Sequence, residues 1–205
     1  QGGKLNRNYV LNIYQGGNDY DNPQGTPAYQ IYTTYTGYMT VKAVDPNNEV
    51  YGYWYGSVQP WIIFRYAEIL LDFAEAQNEA TGPTPEIYAA LNKIRKRAGI
   101  TTDLQEGLSK EQMRELIRNE RYVELCFEHH RYWDLRRWKL AETKLNNRNY
   151  TGVVITKEKD GTFSYKYEPV EAVPLVFSEK MYFMPIPQSE ISKNSKLIQN
   201  PGWTD

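Results

Sequence analysis

Cysteine and histidine are scarce in this sequence. Its 205 residues include one cysteine, Cys126, and two histidines, His129 and His130. A single cysteine cannot form an internal disulfide, so a disulfide-stapled scaffold is excluded. A structural zinc site needs four ligands and a catalytic one usually three, and carboxylates would have to complete either set. We therefore expect neither a metal nor a cofactor.

Long apolar runs and an excess of one charge are also missing. The formal net charge is −1, which attracts neither nucleic acid nor an anionic membrane surface. The longest apolar runs, such as residues 61–64, are far too short to span a bilayer. The sequence begins at Gln1 without a signal-peptide pattern, so we expect that any targeting signal has been removed. Attachment to a membrane would then depend on something outside this sequence.

Aromatic residues, in contrast, are abundant. There are 18 tyrosines and 5 tryptophans, and hydrophobic residues make up 40% of the chain. That composition is typical of a globular protein rather than a disordered one. Tyrosine and tryptophan combine an apolar face with a polar group, so they suit both cores and wet binding surfaces. The excess is a hint of molecular recognition.

The hydrophobic pattern changes along the chain. Residues 1–60 are rich in Gly, Asn, Pro and Tyr without helical periodicity, which predicts irregular loops with short strands. A helix is then predicted, because Tyr66, Ile69, Leu70 and Phe73 follow the i, i+3, i+4, i+7 spacing of a buried helix face. We expect these four side chains to face the core.

Three more helices and a hairpin are predicted further on. Thr84 and Pro85 mark the start of the second helix, and the third begins near Ser109. A fourth short helix is predicted over residues 133–145. Strands near residues 153–155 and 162–167 flank an Asp-Gly turn, which predicts a β-hairpin.

The first two helices form a hairpin about as long as one tetratricopeptide repeat, roughly 34 residues. No second copy follows. One such hairpin cannot bury its apolar face alone. We therefore predict that it packs against helices encoded upstream in a longer protein.

Three segments of the sequence resemble the signature of the SusD/RagB family. They are residues 65–76 (RYAEILLDFAEA), 117–138 (IRNERYVELCFEHHRYWDLRRW) and 182–191 (YFMPIPQSEI), the last followed by Asn-Pro-Gly at 200–202. Their order is that of the family, and the resemblance covers roughly residues 35–203. One departure is His129, where the family motif has glycine.

The resemblance implies a mainly α, SusD-like domain over residues 1–205, with a tetratricopeptide-type hairpin, irregular loops and a small β-hairpin. It divides into a loop-rich candidate ligand-binding region at 1–60, a helical core at 61–145, and a β-hairpin with an extended tail at 146–205. Family members are outer-membrane lipoproteins exposed at the cell surface. They bind oligosaccharides or polysaccharides and pass them to a SusC-like TonB-dependent transporter. The amino-terminal half with its lipid anchor is expected to lie outside this sequence.

The glutamates Glu120, Glu124 and Glu128 raise an enzymatic alternative. Paired carboxylates hydrolyse glycosides, but they must converge on the substrate from opposite sides. These three repeat at i, i+4, i+8, so they are predicted to lie along one helix face. Arginines at 118, 121 and 131 are interleaved with them, which indicates an ion-pair network joining helices. We predict no catalytic residue.

The candidate ligand site lies in the loop-rich region. Residues 51–56 combine four aromatic side chains with two glycines. A sugar ring can stack its C–H face on such rings while Asn and Asp bind its hydroxyls. The alternative that these rings fill the core stays open. An oxygen-rich turn at 18–22 fails the EF-hand pattern for calcium. The predicted glycan-contacting residues are Trp54, Tyr53, Tyr55, Tyr20, Asn18, Asp19 and Asp21.

The sequence therefore predicts a non-catalytic glycan-binding protein. A peptide-binding member of the same family is the first alternative. A glycoside hydrolase and a helical scaffold without a small ligand are alternatives of other classes.

Overall fold

The computed structural model describes residues 62–146, 150–169 and 175–203, together with Pro60 and six isolated positions at 14, 17, 36, 38, 40 and 42. The chain divides into two compact units, residues 60–141 and residues 1–59 with 142–205. The described residues form α1 (Tyr66–Thr81), α2 (Pro85–Arg97), α3 (Lys110–Glu124), α4 (His130–Arg137), α5 (Ala141–Leu145), β1 (Thr151–Lys157), β2 (Phe163–Pro169), a 3-10 helix (Glu179–Tyr182) and α6 (Gln188–Lys193). The mainly helical class with one small antiparallel hairpin is confirmed.

Local sequence signals set the starts of two helices. Pro85 is the first residue of α2. At that position the fixed φ of proline already matches the helix, and its missing N–H removes no hydrogen bond, because a first-turn N–H has no partner within the helix. At α3, the Gln112 N–H donates to the Ser109 hydroxyl and the Ser109 N–H donates to Gln112 Oε1, at 3.2 and 2.8 Å. This reciprocal capping box satisfies two amide groups that the helix cannot. The predicted start near Ser109 is confirmed.

The core of residues 60–141 lies between α1, α2 and α3. Its centre consists of fully or almost fully buried apolar side chains: Leu71, Ala74, Ile87, Leu91, Ile94, Met113 and Ile117. At its edge, the buried Asn78 side chain donates from Nδ2 to the Lys110 carbonyl at 3.0 Å. The Leu108 N–H likewise donates to the Tyr88 hydroxyl at 3.1 Å. These bonds join the start of α3 and the loop before it to the α1–α2 hairpin.

The predicted inward face of α1 is wrong for Tyr66, Ile69 and Phe73, whereas Leu70 packs against the core. Tyr66, Ile69 and Phe73 are 60%, 50% and 42% exposed, and Leu70 is half-buried. The buried positions are Leu71, Ala74 and Asn78, which have the same i, i+3, i+7 spacing rotated around the helix. Small and medium side chains on that side allow α1 to approach both α2 and α3 closely, so the bulky aromatic side is left outward.

Two left-handed residues separate α3 from α4. Phe127 has φ 63° and His129 has φ 65°, a conformation that costs energy for a side chain other than glycine. The glycine expected from the family at position 129 would adopt it without that cost. The sharp turn ends α3 at Glu124 and starts α4 at His130.

The predicted helix over residues 133–145 is likewise interrupted. Lys139 adopts φ 56°, so α4 ends at Arg137 and α5 starts at Ala141. No glycine or proline marks this break in the sequence, which explains why periodicity alone gave one helix.

The predicted β-hairpin is confirmed. β1 and β2 pair antiparallel, with Val153 opposite Tyr167 and Ile155 opposite Tyr165. In the turn, Asp160 Oδ1 accepts from the Thr162 N–H at 3.0 Å, and Gly161 supplies a φ of 86°. An Asp-Gly turn of this kind fixes the register.

Candidate functional site

The seven predicted glycan-contacting residues lie outside the described part of the chain. Trp54, Tyr53, Tyr55, Tyr20, Asn18, Asp19 and Asp21 therefore remain a prediction. The described residues contain two ion-pair clusters, a small charged cleft and an exposed row of aromatic side chains.

The first cluster is centred on Arg65, directly before α1. Its guanidinium donates to both carboxylate oxygens of Glu128 at 2.8 Å. It also donates to the Glu124 carboxylate at 2.5 Å and to the Glu124 carbonyl at 2.7 Å. Arg97 of α2 reaches Glu124 as well, at 2.5 Å. Hydrogen bonding to Glu128 leads the effects that raise the pKa of Arg65 above its ordinary value.

This cluster decides the role of the glutamate series. Glu120 pairs with Arg95 at 2.7 Å, so each of the three glutamates is held by an arginine from outside α3. The expected network joining helices is confirmed, and the partners described for these glutamates include Arg65, Arg95 and Arg97. Glu128 also lies beyond the end of α3, so the three glutamates do not form a continuous row on one helix.

The second cluster joins α1, α3 and α4. Arg121 is buried and donates to Asp72 at 2.5 Å and to Asp134 at 3.1 Å. Arg137 also binds Asp134, at 2.8 Å, and it binds Glu75 of α1 at 2.6 Å. These five side chains come from the first two signature segments and join three helices.

Glu75 shows how the cluster affects ionisation. Burial of this carboxylate opposes its charged form, but hydrogen bonds from Arg137 and from the Trp138 indole outweigh that effect. The pKa of Glu75 therefore lies below its ordinary value of 4.5. A glutamate held ionised in this way is a poor general acid at neutral pH.

A charged cleft of about 250 Å³ adjoins this cluster. It is lined by Glu75, Glu79, Arg114, Ile117, Arg118, Arg137 and Trp138. The charged groups already bind protein partners: Glu79 takes two bonds from Arg114 at 2.6 and 2.7 Å, and Arg118 binds Glu115 at 2.7 Å. The cleft is smaller than a typical ligand pocket, about 300–1,000 Å³. The charged side chains of this cleft therefore serve packing between helices rather than ligand binding.

Across the described ranges, no three His, Cys, Asp or Glu side chains are grouped as metal ligands would be. Nor does any helix in those ranges have the length and apolar character needed to cross a membrane.

An aromatic row lies on one face of the β-hairpin. Phe163, Tyr165 and Tyr167 alternate along β2 with Ser164, Lys166 and Glu168, so the three rings share one face. They are 45%, 59% and 66% exposed. The Tyr14 ring lies 5.6 Å from the Phe163 ring, and the Tyr38 hydroxyl lies close enough to that of Tyr167 for the two to interact electrostatically. We call these five side chains the aromatic row.

The sequence interpretation placed the hairpin but did not assign this surface a role. The available signal was the strict alternation of aromatic and polar residues in 163–168. On its own, that alternation is equally typical of a strand whose aromatic face packs into a core.

The SusD family model matches residues 2–203. The chain therefore belongs to the SusD family. It is similar to SusD-like protein P2 of Formosa agariphila, with 31% identity over 150 residues that cover 70% of this chain and 26% of that protein.

Solved structures agree with this membership. The protein BT4246 is 32% identical, with a TM-score of 0.73 over 95% of this chain and 32% of its own. A SusD homolog from Bacteroides thetaiotaomicron VPI-5482 is also 32% identical, with a TM-score of 0.52 over 70% of this chain and 27% of its own. The chain thus spans about a quarter to a third of these relatives.

Proposed function

We propose that this chain is part of a non-catalytic protein that binds oligosaccharides or polysaccharides at the cell surface. In this proposal it delivers them to a SusC-like TonB-dependent transporter, and a lipid anchor holds the protein at the outer membrane. The observation that carries the proposal is the match of the SusD family model to residues 2–203.

The contacts of the glutamates support a binding role over a hydrolytic one. Glycoside hydrolysis needs two carboxyl groups on opposite sides of a substrate, roughly 5–10 Å apart. Glu120, Glu124 and Glu128 are instead engaged by arginines. Such carboxylates stabilise helix packing.

A glycan array with a parallel hydrolysis assay tests the proposal. We expect the chain to bind one or more glycans without releasing reducing sugar from them. Turnover would support the hydrolase alternative, and binding of peptides alone would support the peptide-binding one. Absence of binding to both would contradict the proposed function.

Glu124→Gln tests the structural role of the glutamates directly. Glu124 is nearly buried between Arg65 and Arg97, so removing its charge takes away the carboxylate described for Arg97 and leaves Arg65 with Glu128 alone among its described carboxylate partners. We expect a loss of about 2–4 kcal/mol in the free energy of unfolding, measured by urea denaturation. Any sugar release by the unmodified chain should persist in this variant.

The matched control is Glu115→Gln on the same helix. Glu115 is exposed and pairs only one turn away with Arg118, so its loss should cost less than about 1 kcal/mol. Concentration-dependent sugar release that Glu124→Gln eliminates would overturn the non-catalytic assignment.

Trp54→Ala tests the predicted ligand site. A binding role predicts a small stability loss and a glycan affinity lower by about tenfold or more, since about 1.4 kcal/mol is a factor of ten. A core role predicts instead a stability loss of about 3–5 kcal/mol. Calorimetric melting and titration with the best array glycan, on the same variant, separate the two. If the variant binds normally, or if it unfolds, Trp54 is not part of the glycan site.

A further inference from the structure

The aromatic row is arranged as a linear surface. Residues 163 and 167 are four positions apart on one strand, which separates their side chains by about 14 Å at 3.4 Å per residue. Tyr14 extends the row beside Phe163, and Tyr38 extends it beside Tyr167. The row is therefore longer than a single sugar ring.

The opposite face of β2 is chemically different. It carries Ser164, Lys166 and Glu168, and the last two form an ion pair. On the aromatic side, the β1 residues across from the row are Val153, Ile155 and Lys157. Lys157 is thus the one charged side chain among these cross-strand partners, and it lies over the Tyr14 ring.

The tyrosine hydroxyls add polar groups to this apolar surface. Desolvation and the neighbouring Tyr167 hydroxyl raise the pKa of Tyr38 above its ordinary value of 10.0. A phenol is neutral at physiological pH even at its ordinary pKa, so Tyr38 can donate as well as accept hydrogen bonds. The surface as a whole offers flat apolar faces and hydroxyls with little charge.

This chemistry fits a neutral sugar chain better than an apolar protein surface. An apolar protein face packed on the row would bury the phenol hydroxyls of Tyr14, Tyr165 and Tyr167 against carbon. Burying such a group without a partner costs free energy. A pyranose offers C–H faces for the rings and hydroxyls at its rim for the phenols, so it satisfies both at once.

We propose that the aromatic row, Tyr14, Phe163, Tyr165, Tyr167 and Tyr38, is a carbohydrate-contacting surface for an uncharged, extended glycan chain. None of these five residues belongs to the predicted loop site around Trp54, although Tyr14 and Tyr38 come from the same region, residues 1–60. The inference rests on the proposed function, because it takes the ligand to be a glycan.

Affinity electrophoresis of the 205-residue chain tests this surface. The gels contain neutral polysaccharides (starch, laminarin, xylan or galactomannan) or the anionic polymers alginate and polygalacturonate. We expect retardation by at least one neutral polysaccharide. The double variant Tyr165→Ala with Tyr167→Ala should bind that polysaccharide about tenfold more weakly, or about 1.4 kcal/mol.

Two control variants use the same strand. Tyr165→Phe with Tyr167→Phe keeps both ring faces, so it should retain most of the binding. Lys166→Ala alters the opposite face and should leave binding unchanged. Melting curves of all variants should agree closely, because the substituted side chains are largely exposed.

Nitration by tetranitromethane provides an independent readout. Tyr165 and Tyr167 are expected to be nitrated in the free chain and protected when the retarding polysaccharide is bound, as measured by peptide mass spectrometry. If the unmodified chain is retarded but the double alanine variant is retarded equally, or the two tyrosines are not protected, the surface inference is wrong and the proposed function stands. If only the anionic polymers retard the chain, the inference of an uncharged glycan is wrong. Failure to bind any polysaccharide would contradict both.

Discussion

Arg121→Met is expected to lower the free energy of unfolding by about 3–5 kcal/mol, because it breaks a buried ion pair from one side. The Arg121 side chain is only 4% exposed, and its partner Asp134 is 6% exposed. Methionine fills much of the same volume but leaves Asp134 with Arg137 as its one remaining cationic partner among the described contacts. Urea denaturation followed by circular dichroism measures the loss.

Arg114→Met on the same helix is the control. Arg114 binds Glu79 with two good hydrogen bonds, but this pair lies nearer to solvent, so its loss should cost much less stability than that of Arg121. Equal losses in the two variants would show that burial of the Arg121 cluster does not govern its contribution.

Features that depend on a few adjacent residues could be predicted from the sequence. The capping box at Ser109, the proline that starts α2 and the Asp-Gly turn of the hairpin all appear in the structure as expected. Each depends on a backbone preference or a bond spanning only a few residues. Such signals act before any tertiary contact forms.

The turns around α4 could not be predicted in the same way. Phe127, His129 and Lys139 adopt left-handed conformations that glycine or asparagine would ordinarily indicate. Tertiary contacts must compensate for the cost at these positions. Sequence periodicity carries no information about such compensation, so the helix ends were misplaced.

The ion-pair partners depend on contacts distant in the sequence. Arg65 and Glu128 are 63 positions apart, and so are Glu75 and Trp138. Spacing on one helix suggested neighbouring arginines as partners for the glutamates, but the described partners include residues of α2 and the residue before α1. The aromatic row could be predicted in part. Its alternation of aromatic and polar residues is visible in the sequence, but its exposure depends on what packs against the hairpin.

The α1 face shows why periodicity can give the right helix and the wrong orientation. Apolar residues occur on two sides of α1, and both sides satisfy the spacing of a buried face. The side with Leu71 and Ala74 packs against α2 and α3. Tyr66, Ile69 and Phe73 remain exposed, although a single surface helix seldom presents so many large apolar side chains.

Two single variants, Leu71→Ala and Phe73→Ala, test this orientation by comparison. Leu71 is fully buried, so its truncation should cost about 2–5 kcal/mol through lost contacts and a residual cavity. Phe73 is 42% exposed, and its truncation should cost less than about 1 kcal/mol in this chain. Urea denaturation of both variants measures the difference. Equal costs, or a larger cost at Phe73, would restore the orientation that the sequence indicated.

The same substitution in a longer chain tests what covers the exposed face. The relatives are three to four times as long as the segment they share with this chain, and we predict that helices encoded upstream pack on Tyr66, Ile69 and Phe73. Phe73→Ala should then cost about 3–5 kcal/mol in a protein of that length, as for other buried phenylalanines. Leu71→Ala should cost the same in both lengths, because its surroundings lie within residues 60–141. If Phe73→Ala remains mild in the longer protein, and the longer protein melts at the same temperature as this chain, upstream helices do not cover α1.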